Sequence, residues 1–215
     1  MLNTRSKYII MFIANVLILL NSCSTRYIVS SLDTTYQNKS TKSNMGDVII
    51  DIPKDSRVNN LNAPNFNRTW GYLTDRGLYN NFLSSEHIIS ADIADIIVSA
   101  FQAMGYNAKV AGSNAFPMRG GKIVESEIKQ FWVDSKCSGF GVFFVTTSLN
   151  LHLKILDSTS HDILLNTEIT VSDYQKVGAL SMSSGVKSTS EIFSANLEKF
   201  KSLLLEKIEV NMEKL

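Results

Sequence analysis

The sequence predicts an α+β fold in which a mostly antiparallel sheet carries two helices packed on one face, in the order β-α-β-β-β-α. The clearest strands lie in residues 140–156 and 163–172, which alternate apolar and polar side chains on either side of a polar turn at 157–161. Two such runs are typical of an antiparallel hairpin with one solvated face. Apolar residues recur with helical spacing in 90–104 and 188–212, which predicts the two helices.

The first strand is expected at Val48–Ile52, where Pro53 ends it. Residues 54–87 are ambiguous because they mix Asn, Asp, Arg and Gly with isolated aromatic residues. A second strand is possible near 67–73, the usual position for the returning strand of a hairpin. Another short strand is expected at 106–110.

A longer strand is predicted at Ile123–Val133. Unbroken alternation would place Val124, Ile128 and Trp132 on one face, and Ile123, Phe131 and Val133 on the other. In the hairpin, the residues expected to face the core are Leu149, Leu151, Leu153 and Ile155.

The first helix is expected to begin at Ser90, a good N-cap, and to end before Gly105. Asp92 and Asp95 lie in its first turns, where carboxylates suit the helix dipole. Its apolar stripe consists of Ile93, Ile96, Ile97, Ala100, Phe101 and Met104.

The second helix is expected to begin at the capping box formed by Ser188 and Glu191 and to reach about Met212. The Gly- and Ser-rich residues before it, 176–187, are expected to form a loop. Its buried stripe consists of Phe193, Leu197, Phe200, Leu204 and Ile208.

Residues 1–22 have the layout of a secretory signal peptide, with Arg5 and Lys7 before the apolar run Ile9–Leu20. The alternative is a signal anchor that remains as a transmembrane helix. A span needs roughly 17 to 25 apolar residues, and this run has 12. Cleavage is therefore the expected outcome.

The stretch Leu20-Asn21-Ser22-Cys23 resembles the lipobox of bacterial lipoproteins. The resemblance implies that Cys23 is acylated, becomes the first mature residue and anchors the protein to a membrane. Ser24, where many inner-membrane lipoproteins have Asp, implies an outer-membrane location facing the periplasm. An ordinary secreted protein is the alternative, although no A-x-A cleavage site is present.

The expected organisation is a signal peptide over 1–22, a lipidated flexible tether over 23–46 and a single α+β domain over 47–215. The tether is rich in Ser, Thr, Asn and Lys. The less favoured interpretation is a folded N-terminal strand around the small apolar group 27–29.

The charge balance excludes one class of function, and the cysteine content excludes an intramolecular disulfide. The chain has a formal net charge of +1, which falls to −1 when Arg5 and Lys7 are removed, and it has no basic block. Nucleic acid is therefore not an expected partner. With Cys23 acylated, Cys137 has no partner for an intramolecular disulfide. We expect a buried, inert thiol, with an intermolecular disulfide as the alternative.

The residues give no catalytic constellation, metal site or cofactor site. His87, His152 and His161 have no ligand partners at helical or strand spacing, so they are expected to be surface residues. Ser181 and Ser183 lie in a stretch that lacks the first glycine of G-x-S-x-G. The sequence therefore predicts a protein that is not an enzyme.

Three stretches together resemble YajG-type outer-membrane lipoproteins: 103–110, 124–134 and the hairpin 149–174. The resemblance covers about residues 47–212. It implies the α+β fold, the outer-membrane location and a non-enzymatic role in the cell envelope.

Residues 140–145 are apolar on both faces of a strand. One face can pack on the core, and the other must be shielded from water by another part of the chain or by a ligand, or else be exposed. The helices or the 54–87 segment are the expected cover, and a partner or acyl chain is the alternative. The leading hypothesis is a structural or assembly lipoprotein with an envelope protein partner. Its rival is a lipid- or small-ligand-binding accessory of an envelope transporter. A hollow apolar pocket between helices and sheet would favour the rival.

Overall fold

The structure is a computed structural model that describes residues 26–29, 45–63, 65–75, 79–112, 121–138, 141–178 and 182–212. The strands are β1 (Arg26–Val29), β2 (Asp47–Ile50), β3 (Lys54–Asp55), β4 (Thr69–Asp75), β5 (Tyr79–Ser84), β6 (Asn107–Val110), β7 (Lys122–Cys137), β8 (Val142–Asp157) and β9 (Ile163–Gly178). The helices are α1 (Ile89–Ala103) and α2 (Met182–Met212), and one 3-10 turn covers Phe66–Arg68.

Strand β7 is the axis of the sheet. Along one edge it pairs with β8 over its whole length, and β8 pairs in turn with β9, so that three 16-residue strands form an antiparallel ribbon. Along its other edge β7 pairs successively with β2, β3 and β4. Strand β6 extends the sheet beyond β2, while β5 and β1 extend it beyond β4.

The prediction of a mostly antiparallel sheet is wrong, and so is the β-α-β-β-β-α order. Five of the strand pairs in the described residues are parallel (β1–β5, β2–β6, β2–β7, β3–β7 and β4–β7), against three antiparallel pairs. The additional strands come largely from residues 54–87, where β3, β4 and β5 lie before the first helix. These strands are short, and a strand of two residues has no periodicity to read.

A β-bulge in β7 corrects the predicted faces of this strand. The register with β8 shifts between Ile128 and Gln130, which adds Lys129 to one strand only. Residues after the bulge therefore exchange faces. Phe131 is 1% exposed and joins the core, whereas Trp132 is only half-buried and lies on the opposite face.

Helix α1 buries the apolar stripe that its sequence predicts, including Ile93 and Phe101. Its start is different, because Ile88 holds the N-cap position without a side-chain cap and Ser90 lies inside the helix. Asp92 is 2% exposed and accepts a hydrogen bond of 2.6 Å from the Ser85 hydroxyl. Burial raises the pKa of this carboxyl above its usual value.

Helix α2 begins earlier than predicted. β9 continues to Gly178 and the helix starts at Met182, so the expected loop at 176–187 and the capping box at Ser188 are both wrong. Gly185 lies within the helix, where an added Cβ would be 2.5 Å from the Phe143 ring. The glycine therefore permits a close approach of helix and sheet. The Gly- and Ser-rich composition of this stretch has a low helix propensity, and the packing against the sheet outweighs it.

The helices and the sheet enclose one hydrophobic core. The stripe predicted for α2 is buried, and so are the four inward residues predicted for β8. At the centre, the Phe193 ring stacks on Trp70 with centroids 4.4 Å apart and meets Phe131 edge-on at 5.4 Å. Around Phe193, aromatic rings therefore pack the layer between α2 and the sheet, and aliphatic side chains make up most of the remaining core.

The N-terminal segment contributes one described element. Residues 26–29 pair in parallel with β5, which is the strand interpretation that the sequence disfavoured for this stretch. Cys23 and most of the predicted tether lie outside the described residues. Neither helix in the described part of the chain is long and apolar enough to span a bilayer.

Candidate functional site

The face of the β7–β9 ribbon opposite the helices, which we call the outer face, carries a cleft of about 420 Å³. One wall is the segment between β3 and β4, and the floor and other wall are β7 and β8. The lining residues are Arg57, Val58, Asn59, Asn60, Leu61, Phe66, Lys129, Gln130, Phe131, Trp132, Asp134 and Ser148.

The apolar part of the cleft is an aromatic pair with an exposed rim. The bulge in β7 points Trp132 into the cleft, where its ring lies 6.1 Å from that of Phe66 at an angle of 39°. On the rim, Val58 is 72% exposed and Leu61 is 46% exposed. Apolar groups gathered at the surface in this way are typical of a binding site.

Arg57 holds the wall of the cleft to the sheet. Its side chain is 3% exposed and forms a bidentate pair with Asp55, at 2.8 and 2.7 Å. It also donates to three main-chain carbonyl groups, those of Phe66, Thr69 and Phe131. Its guanidinium carbon lies 4.6 Å from the centre of the Phe66 ring. The role of Arg57 is therefore to position the cleft.

The polar groups of the cleft divide into those already engaged and those that face solvent. Asn59 is engaged, because its side chain both accepts from and donates to the main chain of Ala63. Asn60 and Gln130 are exposed, and Ser148 of β8 is half-buried. Side-chain amides both donate and accept hydrogen bonds, so these groups suit a ligand that carries amide groups.

The charges around the cleft are paired with one another. Lys129 donates to Glu127 at 2.5 Å, and Lys136 lies 3.0 Å from Asp134. Hydrogen bonds from Lys129 and Ser56 lower the pKa of Glu127 to about 2, so this carboxylate stays ionised at physiological pH. Glu127 is shared with Lys54, whose Nζ lies 3.6 Å away, so together with the Arg57 pair four basic side chains meet three carboxylates around the cleft.

One buried acceptor in the cleft has no partner. Asp134 uses one carboxylate oxygen for Lys136, and its Oδ1 is buried without a hydrogen-bond partner among the described residues. A buried acceptor without a hydrogen bond destabilises the folded protein, and a ligand that donates a hydrogen bond to this oxygen would remove that penalty.

The residues singled out from the sequence do not form this site. Phe143 and Val145 of the apolar stretch 140–145 are buried in the core, on the face that both interpretations assigned to it. Phe144 lies on the outer face and stacks on Tyr174 at 6.0 Å. Cys137 is a half-buried free thiol at the end of β7.

The histidines are also separate from one another. His87 and His161 are exposed, and His152 forms a 2.7 Å hydrogen bond with Asn166 on the outer face. The described residues contain no group of three or more His, Cys, Asp or Glu side chains arranged to hold a metal ion. Ser181 and the side chain of Ser183 lie outside the described part of the structure.

The cleft was not predicted. One signal was present, since Trp132 lies between the polar residues Gln130 and Asp134 of the same strand face, and a large aromatic side chain on a solvated face is unusual. The bulge at Lys129 concealed it, because unbroken alternation assigned Trp132 to the same face as Ile128.

Comparison with known proteins supports the fold. No family model and no curated protein matches the chain. Protein XCC0632 from Xanthomonas campestris, of the DUF330 family, has a similar structure with a TM-score of 0.51 and 10% identity. The match covers 87% of this chain and 97% of that one, so the two share a fold.

Two further solved structures are more distant. One is a neuraminyllactose-binding hemagglutinin homologue from Helicobacter pylori, with a TM-score of 0.44 and 11% identity over 86% of this chain and 100% of that one. The other is the PelC dodecamer from Paraburkholderia phytofirmans, with a TM-score of 0.32 and 10% identity over 82% of this chain and 94% of that one. Neither likeness is close enough to bear on function.

Proposed function

We propose that this protein is a lipid-anchored lipoprotein of the cell envelope, in the outer membrane, that binds an envelope protein partner through the outer-face cleft. The observation that carries the proposal is the half-buried aromatic pair of Trp132 and Phe66, which lies beside the exposed rim residues Val58 and Leu61 in the cleft. Aromatic residues in a pocket with a polar rim are the usual anchors of protein interfaces.

The expected ligand is an extended segment of the partner. An apolar side chain of that segment would contact Trp132 and the exposed rim residues Val58 and Leu61. Its main-chain amides would bond to the side chains of Asn60 and Gln130, which face solvent. Such a ligand uses both the apolar and the amide groups of the cleft.

The rival function, a carrier of lipid or small ligands, has less support. A carrier needs a cavity between the helices and the sheet, and the stacked rings of Phe193 and Trp70 occupy that layer. The cleft on the outer face is open and partly polar, which suits a protein segment better than an acyl chain.

Trp132→Ala is expected to weaken partner binding by about 2 kcal/mol or more, which is roughly thirtyfold in Kd. The loss follows because the mutation removes the aromatic anchor of the cleft. The measurement is co-purification of the full-length protein from membranes after crosslinking, with each recovered protein quantified.

The control is Val210→Ala, which removes an exposed apolar side chain of α2, on the other side of the sheet from the cleft. Proteins that are lost with Trp132→Ala and kept with Val210→Ala are the specific partners. Equal recovery of every protein with both variants would contradict a partner site at the cleft.

Cys23→Ala is expected to abolish acylation and to release the protein from the outer-membrane fraction. Acyl chains contribute about 0.8 kcal/mol per buried CH₂ group, so their loss removes the anchor. The measurement is palmitate labelling together with membrane fractionation, and Cys137→Ala is the matched control that keeps Cys23. A Cys23→Ala variant that is still labelled and still fractionates with the outer membrane would contradict the lipoprotein assignment.

A further inference from the structure

Strand β9 forms an edge of the sheet. It pairs with β8, and no other strand among the described residues pairs with its far edge. The strand is 16 residues long, and from Leu165 to Gly178 it has neither a proline nor a shift in its register with β8. Long edge strands without such interruptions are templates for pairing with another chain.

The two faces of β9 differ, because one packs on a helix and the other is open to solvent. Helix α2 packs on the inner face of β9, where Leu165, Ile169 and Val171 are buried. The residues of β9 that point to the outer face are all exposed: Asn166, Glu168, Thr170, Ser172, Tyr174 and Lys176.

We propose that β9 pairs in antiparallel fashion with β9 of a second copy of this chain, around a two-fold axis at Ser172. In this register Glu168 lies opposite the partner's Lys176, and Lys176 lies opposite the partner's Glu168. Opposite charges directly across an antiparallel pair are stabilising. The two ribbons become one six-stranded antiparallel ribbon.

The charges also disfavour the neighbouring registers. An axis at Asp173 would place this carboxylate opposite the partner's Asp173, and an axis at Val171 would leave Glu168 and Lys176 without opposite charges. Like charges directly opposite one another are destabilising. The register at Ser172 is therefore the one that the charge pattern of β9 selects.

The length of the paired segment fits a stable contact. Residues 166–178 face residues 178–166 of the second copy, a span of roughly 40 Å at the usual rise per strand residue. The pairing is isologous, because each strand presents the same residues to the other, so the assembly closes as a dimer.

Ser172→Cys in the full-length, membrane-anchored protein tests the register directly. Residues directly opposite in an antiparallel pair have Cβ atoms about 4.5 to 5.5 Å apart, close to the range of a disulfide. Mild oxidation is expected to give a covalent dimer on a non-reducing gel. Thr170→Cys is the matched control, since the two copies of residue 170 lie about 13 Å apart along the strands. The parent protein controls for Cys137.

Charge reversal tests the pairing independently, in the Ser172→Cys background. Glu168→Lys and Lys176→Glu are each expected to lower the crosslinked fraction about tenfold or more, because each variant places like charges opposite at both ends. A mixture of the two variants is expected to restore it, since every pair across the mixed dimer again joins opposite charges. Lys109→Glu, on the distant strand β6, is the matched control and should leave crosslinking unchanged.

The proposal is overturned if Ser172→Cys gives no dimer, if Thr170→Cys gives as much dimer as Ser172→Cys, or if the mixture of charge variants does not crosslink better than each variant alone. Far-UV circular dichroism of each purified variant shows whether it has folded, and the mixing experiment compares only folded proteins. Loss of partner binding in Trp132→Ala is a separate outcome, because the cleft and the β9 edge share none of the residues changed here.

Discussion

Arg57→Ala is expected to lower the free energy of unfolding by about 3 to 5 kcal/mol, the usual cost of removing one member of a buried ion pair. The guanidinium group is 3% exposed and is bonded to Asp55 and to the carbonyl groups of Phe66, Thr69 and Phe131. Its removal leaves a carboxylate and three carbonyl oxygens without their donor.

The measurement is urea denaturation of the variant and of the parent protein. Arg57→Lys is expected to recover only part of the loss, because an ammonium group cannot form the bidentate pair and reach the carbonyl groups as well. Lys54→Ala removes a neighbouring pair with Glu127 in which Lys54 is 77% exposed, and should change stability by less than about 1 kcal/mol. Equal effects of Arg57→Ala and Lys54→Ala would mean that Arg57 does not hold the cleft wall.

Phe193→Ala is expected to destabilise the protein by about 3 to 5 kcal/mol through lost burial and the cavity that remains. Phe193 is 1% exposed and contacts both Trp70 and Phe131 between helix and sheet. Val210→Ala in the same helix is the control, because Val210 is 48% exposed and should cost less than about 0.5 kcal/mol.

Tryptophan fluorescence gives this prediction a second readout. The chain has two tryptophans, so a Trp132→Phe background reports on Trp70 alone. Opening a cavity beside Trp70 is expected to change its emission and its access to a small quencher. A loss of stability below about 1 kcal/mol, with unchanged emission, would mean that the layer is not filled, and would restore the carrier as the better function.

The parts of the fold that were predictable have regular periodicity and a single solvated face. The alternation of residues 149–155 identified the inward side of β8, and the helical spacing from Phe193 to Ile208 identified the buried stripe of α2. In both elements burial repeats without interruption, so local pattern and tertiary packing agree.

The parts that were not predictable depend on contacts between distant residues. The two residues of β3 acquire their strand conformation by pairing with Glu127 and Ile128, which are more than 70 positions away. The helical start of α2 depends on Gly185 meeting Phe143. The cleft depends on a one-residue bulge at Lys129, which reverses the faces of all later residues of β7.

Site-specific photocrosslinking tests most directly the claim that the outer-face cleft binds a protein partner. A photoreactive amino acid placed at Gln130, exposed in the cleft, is compared with the same residue at Lys154, on the same face near the far end of β8. We expect a discrete crosslinked partner from position 130 that disappears when Trp132→Ala is added, and none from position 154. The same crosslinked protein from both positions, or a crosslink at 130 that persists without Trp132, would contradict it.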